Sequence, residues 1–419
     1  MTNERVRLRF VAPLRRKRPP APLAGEIAFL PMEAIGDDGT YDQDSVCAAE
    51  EVGDGGFTYF EQGDVVRARV TPCFENGKGA LLSTLIGQRG LGTTELFVFK
   101  HSSCIDARFL YYLTISQDFT GNGTATIYGA HGVRRVDDQF VRDYRAWLPP
   151  LPAQRAIVDY LDRETARIDG LIAAKRRTID EFDERFQSAL ELSLLGDGLA
   201  EIGSRWYPWL GSNRSLWRLK YLTDKIGSGK TPAGGGESYV DEGVIFLRSQ
   251  NILVGSLDLA DVAHVSQAVD SDMRSTRVLP GDVLLNITGA SLGRCCVASD
   301  DITPANVNQH VCIVRPHSGV SGPMLHYAIR ARLVQEQIRQ EQVGGNRDGL
   351  NFEQVGNLEV CLPQSVTAQH ELAMQLKRTE EEQRRAIAML RDQILLLAER
   401  RQALITAAVT GQLDIPEAA

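Results

Sequence analysis

The sequence predicts an α+β protein made of one unit written twice: two strand-rich domains separated by two long helices, the helices packed as an antiparallel coiled coil, with a pseudo-twofold internal repeat. Three observations predict this. A helical stretch recurs without a gap, its apolar residues step by three and four, and shorter pieces of the remaining chain recur in the same order.

Ala153 to Leu190 aligns onto Ala368 to Ile405, sharing Gln154/Gln369, Leu161/Leu376, Arg163/Arg378, Ile172/Ile387, Arg176/Arg391, Ile179/Ile394 and Glu184-Arg185/Glu399-Arg400. The first copy presents a seam of Leu161, Ile168, Ile172, Ile179, Phe182 and Phe186, and the second one of Leu376, Ile387, Leu390, Ile394, Leu397 and Leu404. A helix of this length runs roughly 57 Å at 1.5 Å per residue, and such a seam needs a partner along its length. The other copy is the nearest candidate. Lys175 and Thr178 interrupt the first seam and leave the register of the pair open.

The order is domain, helix, linker, domain, helix: residues 1–150, 151–196, 197–216, 217–363 and 364–413, with a tail at 414–419. Short β-rich runs at Ile27–Leu30, Val65–Val70 and Leu96–Lys100, punctuated by glycine, make the first domain mainly strands, with one short helix near Ala107–Leu113. Prolines before Ala153 stop the last strand and suit a first helical turn. The linker carries Trp206 and Trp209 and leads into Trp217, which predicts that it packs onto something. The second domain then echoes the first. Trp217 to Tyr221 matches Val6 to Phe10, Gly281-Asp282-Val283 matches Gly63-Asp64-Val65, and Phe352 to Pro363 matches Asp138 to Pro149.

With 419 residues, 43% hydrophobic and 24% charged, the chain is of ordinary globular composition, which excludes disordered and fibrous classes. The formal charge of −8 argues against a domain that neutralises DNA phosphates alone. Seven scattered cysteines without C-x-x-C spacing predict free thiols in a reducing compartment and no zinc site. No window is apolar enough for a signal peptide or a membrane span, so a cytoplasmic location is expected.

Gly227-Ser228-Gly229-Lys230-Thr231 imitates a phosphate-binding loop. The glycine such a loop needs five residues before its Gly-Lys-Thr is Asp224 here, and Pro232 with Gly234-Gly235-Gly236 follows where a helix should begin. A flexible edge presenting donors, to solvent or to DNA phosphates, is the expected use. His101, His131, His264, His310, His317, His326 and His370 fit no metal spacing, and no catalytic constellation is found. Gly63-Asp64 and Gly281-Asp282 read as turns in which the aspartate caps its own backbone. The basic run Arg15, Arg16, Lys17 and Arg18 is either a solvated tail or an arm that contacts phosphate.

Loops rich in donors occupy corresponding places in both domains. The candidates for DNA contact in the first are Thr71, Asn76, Lys78, Thr93, Thr94, His131 and Arg134. In the second they are Lys230, Thr231, Arg248, Asn251, Asn286, Thr288, Ser291, Arg294, Asn308, Gln309, Asn346 and Arg347. Such side chains reach base edges and phosphates, and loops on a rigid scaffold are where they act.

Leu151 to Val158 with Leu161-Asp162 and Ile168-Asp169, Glu399 to Ile405 with Thr410 to Asp414, Gly63-Asp64-Val65 with Ala68 to Lys78 and Gly92 to Leu96, and Pro280 to Val283 with Asn308-Gln309 together resemble the specificity (S) subunit of type I restriction-modification enzymes, over nearly the full chain. The resemblance implies a non-catalytic reader of double-stranded DNA. Two target recognition domains would each read one half of an asymmetric bipartite site, and the conserved helical regions would fix the spacer and dock two methyltransferase subunits. It also implies that no cofactor is bound by this chain. S-adenosylmethionine, ATP and Mg2+ would be used on other subunits, the last two by restriction (motor and nuclease) subunits, with no membrane involved. The rival is a coiled-coil scaffold whose end domains bind protein or carbohydrate.

Overall fold

The structure, a computed structural model, describes residues 5–15, 19, 25–42, 46–48, 56–128, 134–232, 234–341 and 349–415. It divides into two compact units, 1–176 with 390–419, and 177–389.

In the first unit a four-stranded sheet runs in the order Val46–Ala48, Glu26–Leu30, Arg89–Gly92, Thr58–Glu61. Its central pair is parallel and the others are antiparallel. A second, antiparallel sheet runs Gly79–Leu81, Val65–Ala68, Leu96–Phe99. Alternation along the strands sorts the two faces of that sheet. Val66, Ala80 and Val98 pack against Ala28, Leu30 and Phe60 of the first sheet. Val65, Phe97 and Phe99 pack the other way, onto Phe109 and Leu113 of the helix Ala107–Ile115 and onto Phe119 of the helix Gln117–Thr124. The same cluster takes in Ile157, Val158 and Leu161 from the start of one long helix and Ile405, Ala408 and Val409 from the end of the other.

The second unit repeats this topology. Its first sheet runs Ala263–Val265, Val244–Leu247, Ala305–Val307, Arg277–Val278, again with a parallel central pair, and adds Tyr239–Val240 at one edge. Its second sheet runs Cys295–Val297, Val283–Asn286, Val311–Pro316 and adds Thr223–Ser228. That added strand corrects the expectation of a flexible edge at Gly227-Ser228. Lys225 to Ser228 pair in register with Arg315 to Cys312, and glycine had only masked the period of two. Helices Gly322–Arg330 and Arg332–Gln340 cover the sheet as their counterparts do.

The long helices span Leu151–Leu195 and Val366–Val409. Within each unit they lie antiparallel. In the first unit Asp169 pairs with Arg401 at 3.0 Å and Lys175 donates to Gln393 at 2.5 Å. In the second Gln383 donates to Asp183 at 3.1 Å, and Phe186, Leu190 and Leu194 share a core with Ala373 and Leu376. Leu161, Ile168, Phe186, Leu376 and Ile387 are buried, whereas Ile172, Ile179, Phe182, Leu390, Ile394, Leu397 and Leu404 are half-buried, as a two-helix seam leaves them. Lys175, an interruption in the apolar stripe, is thus satisfied by a polar partner.

The joint between helix and domain is also written twice. Gln154 is buried in the first helical turn, accepts the Asp106 N–H at 2.8 Å, and donates to the Pro149 and Cys104 carbonyls at 2.8 and 3.0 Å. Gln369 accepts the Ser321 N–H at 2.9 Å and donates to the Pro363 carbonyl at 3.0 Å. Asp106 and Ser321 each cap a domain helix, so one amide ties the start of a long helix to the start of a short one in both units.

Candidate nucleic-acid interface

The donor-rich loops follow equivalent strands in the two units. In the first, the segment after Val65–Ala68 is stitched to two others. Val70 bridges Arg135, the Thr71 N–H donates to the Arg134 carbonyl at 2.9 Å, and the Arg69 N–H donates to the Glu95 carbonyl at 2.9 Å. The Arg135 guanidinium closes the ring with two bonds to Glu95 at 2.6 and 2.8 Å. Thr71, Thr93, Thr94 and Arg134 therefore belong to one rim, with Arg134 and Asn76 exposed. Lys78 is half-buried and donates to the Met32 carbonyl at 3.1 Å. Arg15 points inward: its guanidinium holds the buried Asp64 at 2.6 and 2.8 Å and reaches Glu61 at 3.0 Å. Arg16, Lys17, Arg18, His131, Asn346 and Arg347 lie outside the described residues.

In the second unit a hydrogen-bond chain joins candidates far apart in sequence. The Thr231 hydroxyl donates to Gln309 Oε1, Gln309 Nε2 donates to His310 Nε2 at 3.1 Å, and His310 Nδ1 donates to the Thr288 hydroxyl at 2.7 Å. With Nε2 accepting and Nδ1 donating, the Thr288 hydroxyl ends the chain with its own proton left to give. Asn308 accepts the His310 N–H at 3.1 Å, and Thr288 bridges Gly349. Gly229 brings the Lys230-Thr231 loop onto this platform. A Cβ there would stand 1.6 Å from the Val307 carbonyl oxygen, so only glycine fits. Lys230 and Arg294 are exposed at the rim and Ser291 is half-buried.

Three further candidates are framework residues in this arrangement. Asn251 is buried, accepts the Arg248 N–H at 2.9 Å and donates to the Asp258 and Asp261 carbonyls. Asn286 is buried and donates to the Ser249 carbonyl at 2.8 Å, while Arg248 donates to the Asp261 carbonyl at 2.8 Å. Sequence reasoning missed Glu95, Arg135 and His310 as organisers of these rims. Their partners are distant in sequence, and no spacing signals them.

The Gly-Ser-Gly-Lys-Thr stretch is followed by a 3-10 turn at Gly235–Ser238 and the strand Tyr239–Val240, so the helix N-terminus that would cradle a phosphate is not formed. Among the described residues no group of three or more His, Cys, Asp or Glu side chains could hold a metal, and no helix is long and apolar enough to cross a membrane.

No family model matches the sequence. The EcoEI and EcoAI type I restriction enzyme specificity subunits of Escherichia coli are each 29% identical over 184 residues, 43% of this chain and 31% of theirs. The EcoBI specificity subunit of the same organism is 24% identical over 258 residues, 59% of this chain and 53% of that one. The chain thus spans about a third of the length of the first two relatives and about half of the third. A solved chain described under complex assembly and conformational transition of the type I R-M system superposes with a TM-score of 0.76 over 98% of both chains at 19% identity. The HsdS subunit from Thermoanaerobacter tengcongensis superposes at 0.53, over 98% of this chain and 97% of that one, at 20% identity. The fold is that of a type I specificity subunit. Within that fold the rims just described are the loop ends of the two strand-rich units, and the duplicated glutamine joints attach each unit to its helices.

Proposed function

We propose that this chain is the non-catalytic DNA-recognition subunit of a type I restriction-modification complex, each unit reading one half of an asymmetric, two-part site. One observation carries the reading. The same sheets present loops at the same strand ends, after Val65–Ala68 and Val283–Asn286 and after Arg89–Gly92 and Ala305–Val307, while the side chains there differ throughout. A duplicated scaffold with unlike donors is what two different half-sites require. Exposed Arg134, Lys230 and Arg294 supply local positive charge on a chain whose total is −8, and partner subunits would complete the neutralisation of phosphate. The paired helices fix the spacer and dock two methyltransferase subunits. Those subunits bring S-adenosylmethionine for adenine methylation, and restriction subunits bring ATP and Mg2+.

The test is a genome-wide map of methylated adenine with and without this gene. Loss of a single split motif is the expected result. An unchanged map would contradict the reading.

A further inference from the structure

Arg67 sits in the middle of the strand Val65–Ala68, on the face that packs against helices, and is fully buried. Among the described residues it forms no ion pair. Nη2 donates to the Phe74 carbonyl at 2.6 Å and to the Thr120 hydroxyl at 3.1 Å, and the guanidinium lies 4.8 Å from the centre of the Phe74 ring. Nε and Nη1 are buried without a partner, as is the neighbouring Tyr111 hydroxyl. Burial pushes the guanidinium down to about 10, against the pull of Tyr111. A cation held this way is expensive, so something other than the fold must require it.

The second unit shows that the fold does not. Arg67 pairs across the sheet with Gly79 on one side and Phe97 on the other. The corresponding rung is Leu285, flanked by Cys295 and Cys312, all buried. The same sheet is therefore built with an apolar residue at this position. Gly79 makes the room: a Cβ there would stand 3.2 Å from Arg67 Cδ and 2.7 Å from the Val66 carbonyl oxygen. Besides the Thr120 hydroxyl, what Arg67 touches is the loop from Val70 to Lys78, through the carbonyl and the ring of Phe74. Phe74 is the only fully buried side chain in that loop's Thr71–Lys78 stretch, and Thr71 and Asn76 flank it.

We infer that Arg67 is a positioning residue for sequence recognition. It clamps the Val70–Lys78 loop from inside and sets the placement of Thr71 and Asn76, so that the first unit's half-site is specified partly by a side chain that never meets DNA. The inference rests on the DNA-reading proposal above. It goes further by assigning specificity to a buried residue of one unit only.

The test uses the chain in complex with its methyltransferase subunits. Arg67→Leu carries over the residue of the second unit's rung, Arg67→Met keeps an unbranched apolar stem, and Arg67→Lys restores a donor. Thermal unfolding and methylation of DNA carrying single-base changes in either half-site are measured on each. For the two apolar variants the expected result is an unfolding midpoint at or above wild type. Discrimination at the first half-site falls by about tenfold, the cost of one lost base preference. Discrimination at the second half-site is unchanged, and Arg67→Lys recovers part of the loss. Full discrimination in both apolar variants would overturn the inference. So would failure of both to fold, or equal loss at both half-sites, since either would make Arg67 structural. A wild-type complex that methylates no split motif would instead remove the DNA-reading proposal itself.

Discussion

The two units solve one problem with different residues. Each has an aspartate buried in the turn before its central strand, and each aspartate accepts a backbone N–H three residues back: Glu61 to Asp64 at 2.8 Å, Leu279 to Asp282 at 2.7 Å. Each also receives two bonds from one guanidinium. In the first unit this is Arg15, on the segment where Leu14 bridges Phe99. In the second it is Arg315, on the strand Val311–Pro316 itself, at 2.8 Å for both bonds. Duplication has kept the physical requirement, a paired carboxylate, and let the residue that meets it change. The same holds on the helices above the sheets, where Tyr111 in one unit stands at the place of His326 in the other.

Breaking the shared requirement should have the largest effect. Arg15→Met and Arg315→Met each strand a buried carboxylate, and each should destabilise its own unit by about 3–5 kcal/mol. Denaturant unfolding with a reporter in each unit would check that the loss is local and of similar size in both. Unequal losses would show that the two pairings are not equivalent.

The glutamine joints should separate the units more finely. Gln154 serves three backbone groups and Gln369 two. Each buried group left unpaired costs about 1–3 kcal/mol, so Gln154→Ala should cost more than Gln369→Ala. Calorimetric unfolding of the two variants side by side decides it.

Acid should act on the second unit through a buried histidine that the first unit lacks at the matching place. Burial, with help from Arg330, pushes His326 down to about 3 from its ordinary 6.5. An unfolded imidazole takes up a proton near 6.5 and the buried one only near 3, so unfolding binds a proton between those values. His326 therefore favours the folded state fully above about 6.5 and loses that contribution as pH falls toward 3, at up to about 1.4 kcal/mol per pH unit. His326→Phe should flatten this limb of the stability profile. Tyr111, at that place in the first unit, is pushed up by burial and contributes no such limb.

The smallest effect on folding belongs to the exposed cations. Arg134→Ala and Lys230→Ala should change stability by no more than about 0.5 kcal/mol. Each should nevertheless weaken DNA binding by the complex and lower the salt slope by about one. A titration at several salt concentrations reads both.

The long helices were legible because their period is carried by many residues, and the identity of Gln154 with Gln369 marked a joint that the structure shows to be the same device twice. The sheets were less so. Several of their strands are only two to five residues long, and the parallel pairing of Glu26–Leu30 with Arg89–Gly92 joins segments with no local signal between them. Among the site residues, Thr288, Gln309 and Thr231 were picked out by side-chain chemistry, but the histidine that links them read as isolated. Asn251 and Asn286 show the converse failure. The amide that reads an adenine edge also ties a loop to its own backbone, and only burial tells the two uses apart. Arg67 was hidden because the strand around it reads as apolar.

The most direct test of the account is to exchange residues 1–149 for the corresponding domain of another specificity subunit and map methylated adenine at base resolution. The account predicts that one half of the two-part motif changes while the other half and the spacing between them stay the same. A change in both halves, or in neither, would contradict it.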